Sequence, residues 1–250
     1  MPGDPAHRGG GFEDVLEAAA RDAEALVEGG ADAMIVENFG SAPFPKGTPE
    51  QPTPPHQIAM IARAVEACLR LGKPVGVNVL RNDVRAALGI AAATGAGFVR
   101  VNVHVGAYVT DQGLIEGRAF ETLRYRDTLD ARDVAILADV RVKHATPLAP
   151  VAVDVEVKDV LRRGMADAVV VTGTGTGEPV SPDLLAEVRA AAGDSTVVIG
   201  SGLSPSRAEL AGLADAAIVG TWIKRDGRVD QPVDPERVRR LRDAVRFRGA

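Results

Sequence analysis

A single cysteine, Cys68, stands in 250 residues, which excludes an intrachain disulfide and fits a reducing compartment. It lies in the helical pattern "AVEACLRLG", where a buried and inert thiol is the expected state. Aromatic residues are scarce too, at 4% with Trp222 the sole tryptophan, so a stacking platform for nucleic-acid bases is not supplied. Positive charge is not in excess, because the formal net charge is −5, and the basic field of a nucleic-acid binder is missing. No apolar run approaches the ~20 residues of a membrane span, and "MPGDPAHRGG" has no apolar core of a secretion signal. The expectation is a soluble, cytoplasmic protein with no transmembrane segment and no nucleic-acid partner.

What the chain does have is alternation. Apolar residues make up 46%, enough for one sizeable core. Short β-rich runs stand at 33–38, 74–79, 98–103, 135–140, 168–173, 196–201 and 216–221, and amphipathic segments separate them. That order predicts a parallel sheet buried on both faces. In "FEDVLEAAARDAEALVEGG" the apolar residues fall near helical spacing and Gly29-Gly30 supplies the stop. The C-terminal "RVRRLRDAVRFRG" carries six arginines around Val238, Leu241 and Val245. It reads as a solvated helix docked by its apolar stripe, with attachment to a membrane surface as the alternative.

One unit recurs: "GGADAMIV" at 29, "GMADAVVV" at 164 and "GLADAAIV" at 212. Each is a helix end, a turn and a buried strand, which favours a closed (β/α)₈ TIM barrel over an open Rossmann sheet. The whole chain, 1–250, reads as a single barrel domain. It is N-terminally short, since seven strands are visible and residues 1–11 are too rich in Pro and Gly to make a central strand. The open strand edges this leaves are a route to a homo-oligomer.

In such barrels the site forms at the C-terminal ends of the strands. Glu37 and Asn38, Asn78, Asn102 and His104, and Asp139 stand at those ends, and Arg100 lies within a strand. Asp139 and Glu37 are the acid/base candidates, or, for Asp139, a salt-bridged structural residue. Arg100 and Lys143 are candidate charge stabilisers. Arg100 points either inward or toward the helices; Lys143 is either an anion partner, a solvated loop residue or, as a weaker option, an imine-forming amine. Asn38, Asn78 and Asn102 suit the reading of hydroxyl groups, with His104 as a further substrate contact and Asp111 either a lid residue or a turn former. Long polar loops follow three of these strands.

The stretch "VVVTGTGTGEPVSPDLL" places glycines at 173, 175 and 177. That G-x-G-x-G spacing, with Pro179 before the helix, is not the dinucleotide fingerprint. A barrel phosphate site fits better: Thr172, Gly173, Thr174 and Gly175, then Gly200, Ser201 and Gly202 before a short helix at "SPSRAEL", then Gly220 and Thr221. The alternative is that these glycines merely permit tight turns. No cofactor is expected; a divalent metal at His104, His144 and Asp139 is the other option, without the close ligand spacing that metal enzymes show.

The segments "GGADAMIVENFGSAPF", "PVGVNVLRND", "FVRVNVHVGAYVTDQGLIEG", "ILADVRVKHATPL", "VVVTGTGTGEPV", "VIGSGLSP" and "IVGTWIKRDG" resemble the BtpA/SgcQ family over nearly the entire chain. The resemblance implies a (β/α)₈ barrel of the ribulose-phosphate-binding type. It implies two roles: an enzyme near sugar metabolism with no settled reaction, and a photosystem I biogenesis factor peripheral to a membrane. Our leading expectation is an enzyme acting on a small phosphorylated substrate, a sugar phosphate or nucleotide-like molecule. Isomerisation, aldol-type cleavage and transfer at an anomeric carbon are all open to it. Where that family usually reads "LPGSP" after its first strand, this chain reads Met1-Pro2-Gly3-Asp4-Pro5. The reading frame upstream of Met1 should therefore encode a strand of about six apolar residues; sequencing that finds a stop codon immediately upstream overturns the expectation.

Overall fold

A computed structural model of the chain describes every residue except 6, 8, 174, 176, 177 and 250. The β-rich runs become parallel strands: β1 (Met34–Glu37), β2 (Val75–Asn78) and β3 (Phe98–Val101) come first. A hairpin of β4 (Ala107–Thr110) and β5 (Gly113–Glu116) follows, then β6 (Ala135–Val140), a short β7 (Ala145–Pro147), β8 (Ala168–Val171), β9 (Thr196–Ile199) and β10 (Ala216–Ala217). Seven of them pair in the order β1-β2-β3-β6-β8-β9-β10, all parallel. Every residue of β2 and β8 is buried, as a sheet covered on both faces requires.

Successive side chains alternate between the interior of the curled sheet and its helix-covered outside. Val169, Val171, Val197 and Ile199 join the large core beneath the helices, while Ala168, Val170 and Val198 pack inside with Leu137 and Ile218. The outer layer consists of α1 (Phe12–Glu28), α2 (Pro55–Leu69), α3 (Val84–Thr94), α4 (Ala119–Thr128), α5 (Val153–Lys158), α6 (Pro182–Ala192) and α7 (Pro235–Ala244). Helix α6 starts as its sequence suggests, with Ser181 as cap and Pro182 as first residue. The arginine-rich α7 docks through buried Val238 and Leu241. Gly29 lets α1 approach it, because a β-carbon there would lie 2.4 Å from Val238 Cβ.

Two features depart from the expected pattern. The polar segments after β3 and β6 are not simple loops: β4, β5 and β7 form a separate antiparallel sheet in the order β5-β4-β7. Tyr108 and Ile115 pack inward with Val103 and Val142, and the hairpin turns at Asp111-Gln112 with Gly113 at φ +82°. The segment after β9, Pro205–Leu213, consists of three-residue-per-turn helix interrupted by a kink at Arg207 (φ −133°), not of an α-helix.

The ring does not close among the described residues. β1 pairs only with β2 and β10 only with β9, which leaves a seam between them beside α1. The seventh strand is also the shortest, since Gly220 and the residues around it leave the sheet early.

Interior space is tight beside β2, where a β-carbon on Gly76 would lie 2.0 Å from Phe98 Cε2. Gly76→Ala should therefore cost about 1–3 kcal/mol through overpacking. Urea unfolding measures it, and an unchanged midpoint would mean that the Phe98 ring moves aside freely.

Candidate functional site

Two-residue spacing along the strands, together with their register, brings the polar residues together. Glu37 pairs in register with Asn78, and Asn78 Nδ2 donates to Glu37 Oε1 at 3.3 Å. Arg100 points inward, not toward the helices: its Nε donates to Asp139 Oδ1 at 2.8 Å and its Nη2 to Oδ2 at 2.9 Å. Asn102, one pleat further along, donates from Nδ2 to the same Asp139 Oδ2 at 3.0 Å. Arg100 and Asp139 are each only 3% exposed, so the forked geometry replaces the water both ions give up. Burial by itself lowers the guanidinium pKa, and the charge and hydrogen bonds of Asp139, aided by Glu37, outweigh it to hold Arg100 above its ordinary value.

A cavity of about 690 Å³ opens over this cluster and runs into the seam. Its lining brings Glu37, Arg100 and Lys143 together with Gly200, Ser201, Gly202, Gly220 and Thr221. Burial, then the neighbouring Arg100 charge, lowers the pKa of Lys143 despite the opposing charges of Glu37 and Asp139. The loop that presents it is braced by Arg81, whose Nη2 donates to the Lys143 carbonyl at 3.0 Å while its Nε reaches Asp111 Oδ1 at 3.2 Å. Arg81 is 4% exposed and was not among the sequence candidates. Its signal was faint, a charged residue two positions past Val79 in "NVLRND". Asp111 is thus both the hairpin turn and the partner of Arg81.

The glycine loops interlock. Gly173 N donates to Ser201 Oγ at 3.0 Å, and Ser201 Oγ donates to the Glu178 carbonyl at 3.1 Å. Gly202, at φ +74°, lies so close to Pro179 that a β-carbon would meet its Cα at 2.2 Å. Gly175 faces the Glu178 side chain, and Thr172 Oγ1 donates to the Arg141 carbonyl at 3.1 Å. Thr174 lies outside the described residues. At Gly220, an exposed position of the cavity lining, a β-carbon would meet nothing within 4 Å.

Other candidates are placed elsewhere. Asn38 is buried and braces the backbone, its Oδ1 accepting from Leu80 N at 2.7 Å and its Nδ2 donating to Gln57 and the Leu80 carbonyl. It falls out of step with Glu37 because adjacent residues on a strand face opposite sides. His104 does not reach the cavity wall; its Nε2 meets the Gly164 carbonyl at 2.8 Å, and burial foremost depresses its pKa. Chain past the end of β3 no longer follows the pleat, which is why extrapolating the strand misplaced it. Among the described residues no group of three His, Cys, Asp or Glu side chains is arranged to hold a metal ion. No helix among them is long and apolar enough to cross a membrane.

The family profile described as the BtpA family matches residues 1–246. A Synechocystis protein named photosystem I biogenesis protein BtpA is 44% identical over 95% of this chain and 82% of that one. An uncharacterized Thermococcus kodakarensis protein is 48% identical over 93% of this chain and 86% of its own, and a Caenorhabditis elegans protein described as mitochondrial is 30% identical over 90% and 82%. Among solved structures, Mycobacterium tuberculosis tryptophan synthase superposes with a TM-score of 0.62 at 21% identity, covering 93% of this chain and 88% of that one. Phosphoribosyl anthranilate isomerase from Thermococcus kodakaraensis gives 0.55 at 16%, covering 90% and 93%. These two establish the barrel fold.

Removing one partner of the buried pair should be costly. Asp139→Asn leaves Arg100 buried beside a neutral amide and should lose about 3–5 kcal/mol in chemical unfolding. Arg100→Met combined with Asp139→Asn should lose far less than the sum of the two single losses; additive losses would mean that the two side chains do not act as a unit.

Proposed function

The chain belongs to the BtpA family, and on that premise we propose that it is an enzyme acting on a small phosphorylated molecule, a sugar phosphate or nucleotide-like compound. The observation that carries the reading is one cavity lined both by ionisable side chains and by glycine-, serine- and threonine-rich loops. Its volume lies in the range of small-molecule sites. Backbone N–H groups of Ser201, Gly202, Gly220 and Thr221 receive the phosphate, the Gly200 N–H being engaged with the Val171 carbonyl at 2.7 Å, and Thr172, Gly173 and Gly175 shape the neighbouring loop.

Glu37 is then the acid/base at the reacting carbon, and Arg100 the cation facing developing negative charge. Asp139 acts through Arg100: its side chain has no exposed surface, and it fixes where the guanidinium points. Asn78 orients Glu37. Asn102 does not line the cavity; its Nδ2 donates to Asp139 Oδ2 and helps to hold that carboxylate against Arg100. Isomerisation, aldol-type cleavage and transfer at an anomeric carbon all use this set.

A second reading, a non-catalytic assembly factor, draws on the name of the Synechocystis relative. It also draws on an apolar outer face of the hairpin sheet, where Val109, Leu114 and Leu148 are 49%, 41% and 60% exposed. Against it, the family reaches an animal, which has no photosystem, and a scaffold gains nothing from burying Arg100 at the lining of a cavity.

Thermal unfolding in the presence of inorganic phosphate, ribose 5-phosphate, triose phosphates and nucleotides tests this. A ligand at about a hundred times its Kd adds about 2.7 kcal/mol and should raise Tm by roughly 5–10 °C. Gly220→Leu, which adds bulk at a lining position whose φ is not positive, should abolish the rise. No shift with any phosphorylated compound would turn attention to the second reading and to capture of a partner through the Val109 face.

A further inference from the structure

Two lysines, Lys143 and Lys224, line the cavity, and they differ in what holds them. The amine of Lys224 is engaged in an ion pair with Asp22. Lys143 lines the cavity with Glu37 and Arg100, and Arg100 is already engaged twice over by Asp139. The Lys143 carbonyl accepts from Arg81, which Asp111 holds in turn. The loops of Gly200 to Gly202 and Gly220-Thr221 line the same cavity, so a short ligand whose phosphate is held there shares one enclosure with this amine.

We infer that Lys143 is the nucleophile of the site and that the ligand is an aldose or ketose phosphate, held by its phosphate at the glycine loops and by its carbonyl carbon as an imine on Lys143. The inference rests on the reading of the cavity as a phosphorylated-substrate site. The burial that pulls the Lys143 pKa down also raises the fraction of neutral amine near pH 7, and only the neutral amine attacks. Fixed cationic character in this lining belongs to Arg100. In the addition, the nitrogen lone pair forms a bond to the carbonyl carbon while the C=O π electrons move to oxygen. One nitrogen proton passes to that oxygen, giving a carbinolamine. The second proton, relayed by Glu37, leaves with the oxygen as water, and the C=N bond forms. One amine and one carbonyl give one imine and one water, with no oxidant or reductant. The imine then withdraws electrons from the adjacent carbon, which suits carbon–carbon cleavage or proton transfer there.

The test is borohydride trapping of the intact protein. Incubation with dihydroxyacetone phosphate, glyceraldehyde 3-phosphate or ribose 5-phosphate and cyanoborohydride should add the mass of the sugar phosphate less one oxygen, and peptide mapping should place it on Lys143. Lys224→Met should keep the adduct and Lys143→Met should lose it. In parallel, brief treatment with formaldehyde and cyanoborohydride at pH 7 should methylate Lys143 several-fold faster than exposed lysines, a readout independent of phosphate. A rise in Tm with sugar phosphate but no adduct on Lys143 overturns the imine and leaves the phosphate reading standing. Trapping of unphosphorylated erythrose or ribose on Lys143, with no response to phosphorylated sugars, supports the nucleophile and overturns the phosphate reading. Equal methylation of Lys143 and surface lysines, or an adduct confined to other residues, overturns the inference.

Discussion

The bidentate pair between Arg100 and Asp139 organises the barrel interior. Two ions so far from water persist only when each satisfies the other, and these two come from adjacent parallel strands, β3 and β6. Their register therefore matters. A slip of one residue would turn Arg100 outward among the aliphatic side chains beneath the helices and leave Asp139 uncompensated. Asn102 completes the acidic partner, and the field of the pair reaches Glu37 and Lys143 at the mouth. The stability of the interior and the charge lining the cavity thus depend on the same hydrogen bonds.

The open seam sets the shape of the site. In a closed barrel the mouth is a shallow bowl above packed layers, whereas here the cavity continues between β1 and β10 down to Ala19, Ala23 and Leu26 of α1. Glu37, Arg100 and Lys143 line this cavity together with these helix residues and with the Asp22–Lys224 ion pair. Long polar segments around the rim are recruited into a small antiparallel sheet, which anchors one side of the mouth through Tyr108 and its hydrogen bond to Glu156. Burial and then the Glu156 charge raise the Tyr108 pKa, so that hydroxyl remains a donor.

Much of this could be read from residue order. All seven parallel strands fall within the β-rich runs, and the boundaries of α1 and α6 follow from Gly29-Gly30 and Ser181-Pro182. Glu37 and Arg100 line one cavity because strand ends in a parallel sheet converge by construction, and the loop after β6 brings Lys143 to it. The residues read less well are those beyond strand ends or out of phase with them. His104 follows an extrapolated pleat that the backbone abandons, and Asn38 is one residue out of step with Glu37. Arg81 was missed because its role depends on Asp111 and the Lys143 carbonyl, contacts set by the fold of two separate loops. The hairpin was legible in hindsight from alternation on either side of Asp111-Gln112-Gly113, but polar composition made it resemble a loop.

The sequence by itself determined the architecture, because hydrophobic periodicity and turn residues act locally and the repeated helix-to-strand unit leaves few ways to bury its apolar faces. It determined the family for the same reason that it determined the loops, in long and peculiar segments such as "FVRVNVHVGAYVTDQGLIEG". Only the tertiary structure decided which charged residue faces which. Asp139 and Glu37 look alike as carboxylates at strand ends, yet one is enclosed by Arg100 and Asn102 while the other lines the cavity. That division depends on register, pleat and desolvation across strands distant in the chain, and no local pattern carries it.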